Sequence, residues 1–240
     1  MRATYPAPSK LAIKPRSFVV YIDGYNLYRS INHEDPPDLL RHGWSNLQKL
    51  GELLVDLSFE QPRGRSDVKV KYFTARVGKD TGAPGEIRRQ TLWLEALKTE
   101  ASAVEIVEGL HRPQSEDFSS RREKMTDVNI AVHATADILQ TRPAGMVLVS
   151  GDMDFMPLVE HAADADIPVA VYFPQDHALY QMRPGFKHSE LVTITYLTRE
   201  IMDRCRLSDK RWLEYLQLKV QDRKKFQPCL DHELKTANRR

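Results

Sequence analysis

One stretch near the start of the chain limits its possible folds more than any other. Residues 18–22, Phe-Val-Val-Tyr-Ile, are all apolar or aromatic, and the run ends at Asp23 and Gly24. A strand with apolar side chains on both faces must be covered on both faces, which is typical of a central strand in a parallel sheet. We therefore expect a sheet with helices packed on both of its sides.

The rest of the chain alternates between strand and helix patterns, as a parallel sheet requires. Runs rich in β-branched and aromatic residues are separated by segments in which apolar residues recur at helical spacing. The expected strands are 18–22, 68–77, 104–110, 146–149, 167–173 and 191–194, and residues 112–123 are expected to form a polar connector. This order predicts a doubly wound, mostly parallel α/β sheet.

The two ends of the chain differ from its middle. Residues 1–17 are polar, basic and interrupted by three prolines, which predicts a flexible arm before a domain that spans 18–196. Residues 197–240 are expected to form a helical extension, and from Ile201 onward eleven Lys or Arg face six Asp or Glu in a chain whose net charge is +2. A basic tail on a mildly acidic body suits a carboxylate-rich site beside a surface that binds a polyanion, although a solvated helix has the same composition.

Composition also bears on the compartment. No run approaches the ~18 apolar residues of a membrane span, and the N-terminal segment lacks the apolar stretch of a secretory signal. The two cysteines, Cys205 and Cys229, have no metal-ligand spacing around them. We therefore expect a cytoplasmic protein with no membrane partner and no disulfide framework.

Acidic residues follow two of the expected strands. Asp23 comes directly after the first strand, and Asp152 and Asp154 follow the strand at 146–149. Ligands bind beyond the carboxyl ends of parallel strands, so these acids meet there if the two strands are neighbours, and Asp127 could join them from the start of a helix. Clustered carboxylates need a cation to offset their repulsion, and oxygen ligands favour Mg²⁺ or Mn²⁺. Such an ion binds phosphate and activates water, which is the chemistry of phosphodiester hydrolysis.

Each acid also has a structural explanation that stays open at this point. Asp23 and Gly24 could form a turn, and Asp154 could cap the helix that follows it. Asp127 could lie on an exposed face of a helix that begins earlier, because residues 120–123 resemble a capping box.

Three segments together resemble the signature blocks of the NYN-domain nucleases, a PIN-like family. They are Tyr-Ile-Asp-Gly-Tyr-Asn-Leu at 21–27, Lys-Met-Thr-Asp-Val-Asn-Ile at 124–130 and Leu-Val-Ser-Gly-Asp-Met-Asp-Phe at 148–155. The resemblance implies a PIN-like fold and metal-dependent cleavage of RNA. It implies that Mg²⁺ or Mn²⁺ is bound by four residues, Asp23, Asp127, Asp152 and Asp154. It further implies that Asn26 supports this cluster by hydrogen bonding and that Lys124 holds a carboxylate or meets a phosphate.

One position departs from a common form of that family. Many members carry a further Asp where this chain has His133, and in the branch with the Asp-Val-Asn-Ile-Ala-Val-His block Asp137 follows one helical turn later. His133 could contact a phosphate or transfer a proton, but a helical histidine beside alanines is more often a packed residue. The departure leaves the fourth-acid assignment open.

Substrate contacts are predicted less sharply than the acidic cluster. The basic candidates are Arg76, Lys79, Arg121, Arg122, Arg183, Lys187, His188 and the group Arg223-Lys224-Lys225. Tyr25, Tyr28 and Tyr180 could stack on unpaired bases, or could simply pack. RNA is the expected partner, and a homodimer through the tail helix is a further expectation.

Three functions compete on these grounds. The leading hypothesis is a metal-dependent endoribonuclease, and the alternative is a non-catalytic RNA-binding module with a degenerate nuclease fold. A phosphatase would use Asp23 as its nucleophile, but Tyr25 occupies the position where such enzymes carry a second acid.

Overall fold

The computed structural model describes residues 16–33, 45–60, 66–78, 84–113, 121–174 and 190–208, together with residues 210, 211, 213, 214 and 217. The strands are β1 Arg16–Asp23, β2 Ser66–Arg76, β3 Glu105–Pro113, β4 Arg121–Lys124, β5 Gly145–Val149, β6 Val169–Phe173 and β7 Val192–Tyr196. The helices are α1 Gly24–His33, α2 Leu47–Ser58, α3 Pro84–Glu100, α4 Thr126–Gln140, α5 Met156–Asp164 and α6 Arg199–Arg204. A short 3₁₀ turn, Met153–Phe155, leads into α5.

The strands form one sheet in the order β4-β3-β2-β1-β5-β6-β7. All neighbouring pairs are parallel except β3 and β4, which are antiparallel. The predicted doubly wound, mostly parallel α/β fold is confirmed. The first strand of the chain lies at its centre, between β2 and β5.

One strand was not predicted, because β4 lies inside the segment 112–123 that we expected to be a connector. Its sequence, Arg-Arg-Glu-Lys, has no apolar alternation, and it is held by backbone pairing to the end of β3. A charged strand at the edge of a sheet needs no buried face, so hydrophobic periodicity cannot reveal it. The same pairing means that α4 begins at Thr126 rather than at the capping-box pattern of 120–123.

The two faces of β1 explain why its apolar run is unbroken. Val20 and Ile22 lie in the core beneath α1, α2, α3 and α6, whereas Val19 and Tyr21 lie in the core beneath α4 and α5. All four side chains are buried. Because side chains alternate along a strand, Asp23 is on the same side as Tyr21, the side that α4 covers.

The segment after β7 joins this fold. Met202 and Cys205 are buried in the core that also holds α2, and Leu207 is buried beside them in sequence. Burial raises the pKa of the Cys205 thiol to about 11, so this cysteine stays protonated and unreactive at neutral pH. The boundary between 196 and 197 and the helical tail stay predictions, because most of 209–240 lies outside the described residues. Of the predicted arm at 1–17, residues 1–15 also lie outside them, and residues 16 and 17 belong to β1. None of the described helices combines the length and apolar character needed to span a membrane.

Candidate active site

The carboxyl ends of β1 and β5 lie side by side, as the predicted site requires. The two strands pair in parallel with Ile22 opposite Val149, so Asp23 and Ser150 are the next residues on each. The side chains that leave the sheet at this edge are therefore neighbours although they are 127 residues apart in sequence. The structure thus brings together the first and third sequence blocks.

A small hydrogen-bond network ties these two strand ends together. The Asp23 carboxylate accepts one bond from the Asn26 backbone N–H at 3.0 Å and another from the Ser150 hydroxyl at 2.9 Å. The Asn26 side-chain oxygen accepts from the Gly151 backbone N–H at 3.0 Å. Asn26 therefore supports the cluster in two ways, since its backbone holds the carboxylate and its side chain holds the loop after β5. Ser150, which is fully buried, also accepts from the Asp152 backbone N–H at 3.1 Å.

Gly24 is needed because α1 starts against the neighbouring strand. A Cβ atom at this position would lie 2.5 Å from the Phe73 backbone oxygen and 2.7 Å from the Tyr72 ring. Any larger residue would push the first turn of α1 away from β2. The turn that follows Asp23 is therefore the start of a helix pressed onto the sheet.

Replacing Gly24 with alanine is expected to destabilise the fold by about 1–3 kcal/mol, because contact with a backbone atom cannot be relieved by a rotamer change. Urea unfolding measures the loss. Gly151→Ala is the matched control, since the nearest atoms to its Cβ would be 3.4 Å away, an ordinary contact, and its unfolding free energy should stay within about 0.5 kcal/mol. Equal losses in the two variants would show that the close approach at Gly24 is unimportant.

Asp152 and Asp154 stand at the start of the 3₁₀ turn after β5. The Asp152 carboxylate caps this turn by accepting from the Asp154 backbone N–H at 2.9 Å. Asp152 therefore caps the 3₁₀ turn, whereas α5 begins after Phe155 without a side-chain cap, so the alternative that Asp154 caps this helix is wrong. Asp154 is exposed, and the buried Phe155 beside it anchors the turn in the core.

Asp127 reaches the same region from the first turn of α4, which packs across β1, β2 and β3. Although Asp127 is accessible to solvent, the surrounding protein partly desolvates its carboxylate. This desolvation, followed by repulsion from Asp152 and Asp154, raises its pKa. Asp127 therefore lies close enough to Asp152 and Asp154 for their charges to repel its carboxylate.

Asp23 carries the largest of these effects because it is buried, with 4% of its surface exposed. Burial raises its pKa from 3.8 to about 6, repulsion from Asp127 and Asp152 adds to the rise, and the hydrogen bonds from Asn26 and Ser150 oppose it. The protein thus holds a carboxylate where its negative charge is costly. A cation bound nearby would remove that cost.

The residues fit a hydrated divalent cation better than a closed cage. Among the described residues, no three His, Cys, Asp or Glu side chains converge as a preformed metal site. Mg²⁺ does not need such a site, because it keeps several waters and binds through one or two carboxylates and substrate phosphates. The metal site stays a prediction, supported by oxygen-only donors that repel one another.

Asp137 bonds to residues of the sheet rather than to the acidic cluster, and His133 packs against the sheet with its Nδ1 3.8 Å from the Glu105 carboxylate. One Asp137 oxygen accepts from the Tyr21 hydroxyl at 2.6 Å and from Lys71 Nζ at 2.7 Å. Burial, with the bond to Asp137, raises the pKa of Tyr21 far above its usual range, so its hydroxyl remains a donor. The His133 ring meets Phe73 edge-on at 5.4 Å.

Sequence reasoning missed Lys71 and Tyr21 as partners. The sequence signal was weak, because Lys71 and Lys69 alternate with valines at 68–71 and both look like solvent-facing residues of a strand. The structure places Lys71 directly opposite Tyr21 in the parallel register and buries it. A buried lysine requires an acidic partner, and Asp137 on α4 supplies it. This ion pair fastens to the sheet the same helix that carries Asp127.

Few of the predicted basic contacts can be placed. Arg76 forms a two-point ion pair with Glu108 on the neighbouring strand β3. The Lys124 backbone ends β4, but its side chain is outside the described residues, as are the side chains of Arg121 and Arg122. Lys79, Tyr180, Arg183, Lys187, His188 and Arg223-Lys224-Lys225 also lie outside them.

A parallel α/β sheet with acidic residues at the ends of β1 and β5 and at the start of α4 defines the class of PIN-like nuclease folds. The chain belongs to the NYN domain family, whose model matches residues 17–184, more than half of the 240 residues. Members of this family are generally nucleases that use divalent metals. The match includes all three of the sequence blocks that suggested the family.

A curated relative is also similar to this chain. It is 6-hydroxy-3-succinoylpyridine 3-monooxygenase HspA of Pseudomonas putida, which is 26% identical over 197 residues. The alignment covers 69% of this chain and 62% of the relative, so the chain spans less than two thirds of that protein's length.

Proposed function

We propose that this protein is a metal-dependent ribonuclease that hydrolyses internal phosphodiester bonds of RNA, with Asp23, Asp127, Asp152 and Asp154 as its acidic cluster. The observation that carries the proposal is that Asp23 is held buried at the end of β1, beside the end of β5, where repulsion from neighbouring acids contributes to the raised pKa values of Asp23 and Asp127. Membership in the NYN domain family supports the same chemistry.

Each acid has a distinct task in this proposal. The buried Asp23 is held in place, since one of its oxygens accepts a hydrogen bond from the first turn of α1 and the other accepts one from Ser150 after β5. Each carboxylate oxygen has a further lone pair, so these bonds leave capacity for a ligand. Asp152 has one oxygen in the cap of the 3₁₀ turn, which leaves the other for a ligand. Asp127 and Asp154 are the exposed members and face the solvent from which substrate arrives.

A bound Mg²⁺ or Mn²⁺ would bind a phosphate oxygen and lower the pKa of the attacking water. Around it, Asn26 and Ser150 keep the two strand ends at a fixed separation. We propose that Lys124 neutralises a phosphate or a carboxylate from the end of β4.

The monooxygenase activity in the name of the Pseudomonas putida relative is not part of this proposal. The identity is 26% and the match covers 62% of that protein. The argument for phosphodiester hydrolysis rests on this chain's own carboxylates.

The test is incubation of the purified protein with labelled single-stranded RNA and DNA in the presence of Mn²⁺, Mg²⁺ or EDTA. We expect cleavage of RNA that requires the metal and whose rate falls at least about 100-fold in Asp152→Asn. Mutating a residue that only supports a metal ligand lowers activity about 10–100-fold, and losing the charge of the ligand itself should lower it more. Asp56→Asn, at an exposed position on α2, is the matched control and should cut as the wild type does.

The alternative, a non-catalytic RNA-binding module, gives a different result. It would bind RNA in a salt-sensitive manner without metal and would yield no cut product. Metal-dependent cutting of DNA alone would replace RNA as the substrate while keeping the nuclease. Cutting that survives in Asp152→Asn would remove the acidic cluster from the mechanism.

A further inference from the structure

Two aromatic side chains close to Asp23 in sequence are exposed. Tyr25 is 44% exposed and Tyr28 is 52% exposed, and among the described aromatic residues these are the exposed ones. Both lie on α1, the helix that begins at the residue after Asp23. Large exposed aromatic rings at a ligand site are typical of surfaces that contact a partner.

The packing of α1 decides which way these rings face. Gly24 is pressed against β2, and Leu27 is buried in the core on the same side of the helix. Asn26 is directed to the loop after β5 through its bond to Gly151. Tyr25 and Tyr28 are three residues apart and so are neighbours on one helical face, the face turned away from the sheet.

The charge of the surroundings indicates the kind of ligand. The four acids assigned to the site, Asp23, Asp127, Asp152 and Asp154, repel a phosphate backbone unless a metal is bound. Contacts with uncharged parts of the substrate add affinity that this repulsion does not reduce. Nucleobases supply it, because every base has a π face that stacks on an aromatic ring.

We propose that Tyr25 and Tyr28 form a stacking platform for two unpaired bases next to the scissile phosphate, which makes single-stranded RNA the preferred substrate. This inference rests on the proposed function. A base in a duplex is stacked on its own neighbours and cannot lie on a protein ring without unpairing. The two rings therefore select RNA by its lack of pairing and not by its sequence.

The test uses a set of labelled oligoribonucleotides that differ only in the position of one abasic nucleotide, together with the paired duplex of the same sequence. We expect the duplex to be cut poorly and one or two abasic positions next to the cut to raise KM about tenfold, with kcat little changed. Tyr25→Leu and Tyr28→Leu should each raise KM by a similar factor on the intact strand. Tyr25→Phe and Tyr28→Phe keep the ring and should behave as the wild type does.

The decisive experiment combines a leucine variant with an abasic strand. If a ring and a base stack on each other, Tyr25→Leu or Tyr28→Leu should raise KM little further on the strand that already lacks the base facing that ring. Leu139→Ala removes an exposed apolar side chain near the far end of α4 and should leave cleavage unchanged. The abasic series needs no mutation, so it decides the question even if a leucine variant fails to fold.

Several outcomes would contradict the stacking platform. They are abasic positions that leave KM unchanged, KM effects of the leucine variants and the abasic nucleotides that are additive, phenylalanine variants with KM values as high as those of the leucine variants, or equal cleavage of duplex and single strand. Rings that have no effect on RNA would instead favour a protein partner for this surface. Absence of cleavage in the wild type contradicts the proposed function itself, and in that event the affinities of the same strands measured in EDTA still test the stacking.

Discussion

Replacing Asp23 with asparagine is expected to lower the rate of RNA cleavage about 100-fold or more and at the same time to make the metal-free protein more stable. The first effect follows from the loss of a charged ligand. The second follows from burial, which raises the pKa of Asp23 from 3.8 to about 6 and so makes its ionised form unfavourable in the folded state. A pKa difference of this size corresponds to about 3 kcal/mol of lost stability at neutral pH. We expect Asp23→Asn to raise the free energy of unfolding by about 1–3 kcal/mol.

The pH dependence follows from the direction of the shift. The folded state binds the proton of Asp23 more tightly than the unfolded state, so this group lowers stability as pH rises from about 4 to about 6. Below that range the penalty is absent, and above it the penalty is complete. The asparagine variant lacks this slope, and its advantage over the wild type should therefore appear through the same range and persist at neutral pH.

Urea unfolding in EDTA and in Mg²⁺, at several pH values, measures these effects. Metal should stabilise the wild type more than Asp23→Asn, because only the wild type has the full acidic cluster. Asp56→Asn is again the control, at an exposed position on α2. An asparagine variant that is less stable than the wild type in EDTA at neutral pH would mean that the buried charge is already compensated.

Replacing Lys71 with methionine is expected to lower the free energy of unfolding by about 3 kcal/mol. The change leaves the Asp137 carboxylate, 16% exposed, without the ammonium group that lies 2.7 Å from it. A buried charge that loses its partner costs far more than the pair contributes. The loss should be independent of metal, since Asp137 is bound to Tyr21 and Lys71 rather than to the acidic cluster.

Two further variants test this explanation. Arg76→Met breaks the ion pair with Glu108, whose side chains are 44% and 37% exposed, and should cost less than about 1 kcal/mol. The triple variant Tyr21→Phe, Lys71→Met and Asp137→Leu removes every polar group of the buried network and should return to within about 1 kcal/mol of the wild type. If the triple variant is as unstable as Lys71→Met, packing and not charge explains the loss.

The strands and helices with a hydrophobic signal were predicted well. The unbroken run at 18–22 lies within β1 because that strand is buried on both faces, and the leucines at 47–57 lie on α2 because one face of that helix is buried. The strand that was missed, β4, has a sequence of four charged residues and pairs through its backbone with the end of β3. Such pairing depends on which strand is adjacent, and a local pattern carries no information about that.

The amino-acid sequence by itself determined the α/β class, the acids that follow β1 and β5, and the three blocks that match the NYN domain family. These features are local, since each depends on burial or on residues close together in the chain. Only the tertiary structure decided that Ser150 bonds to Asp23 across 127 residues, that Asp152 caps the turn, and that Asp137 pairs with Lys71 and Tyr21 instead of joining the cluster. The physical reason is that the partner of a buried polar group is set by strand order and register, which bring distant residues within hydrogen-bonding distance.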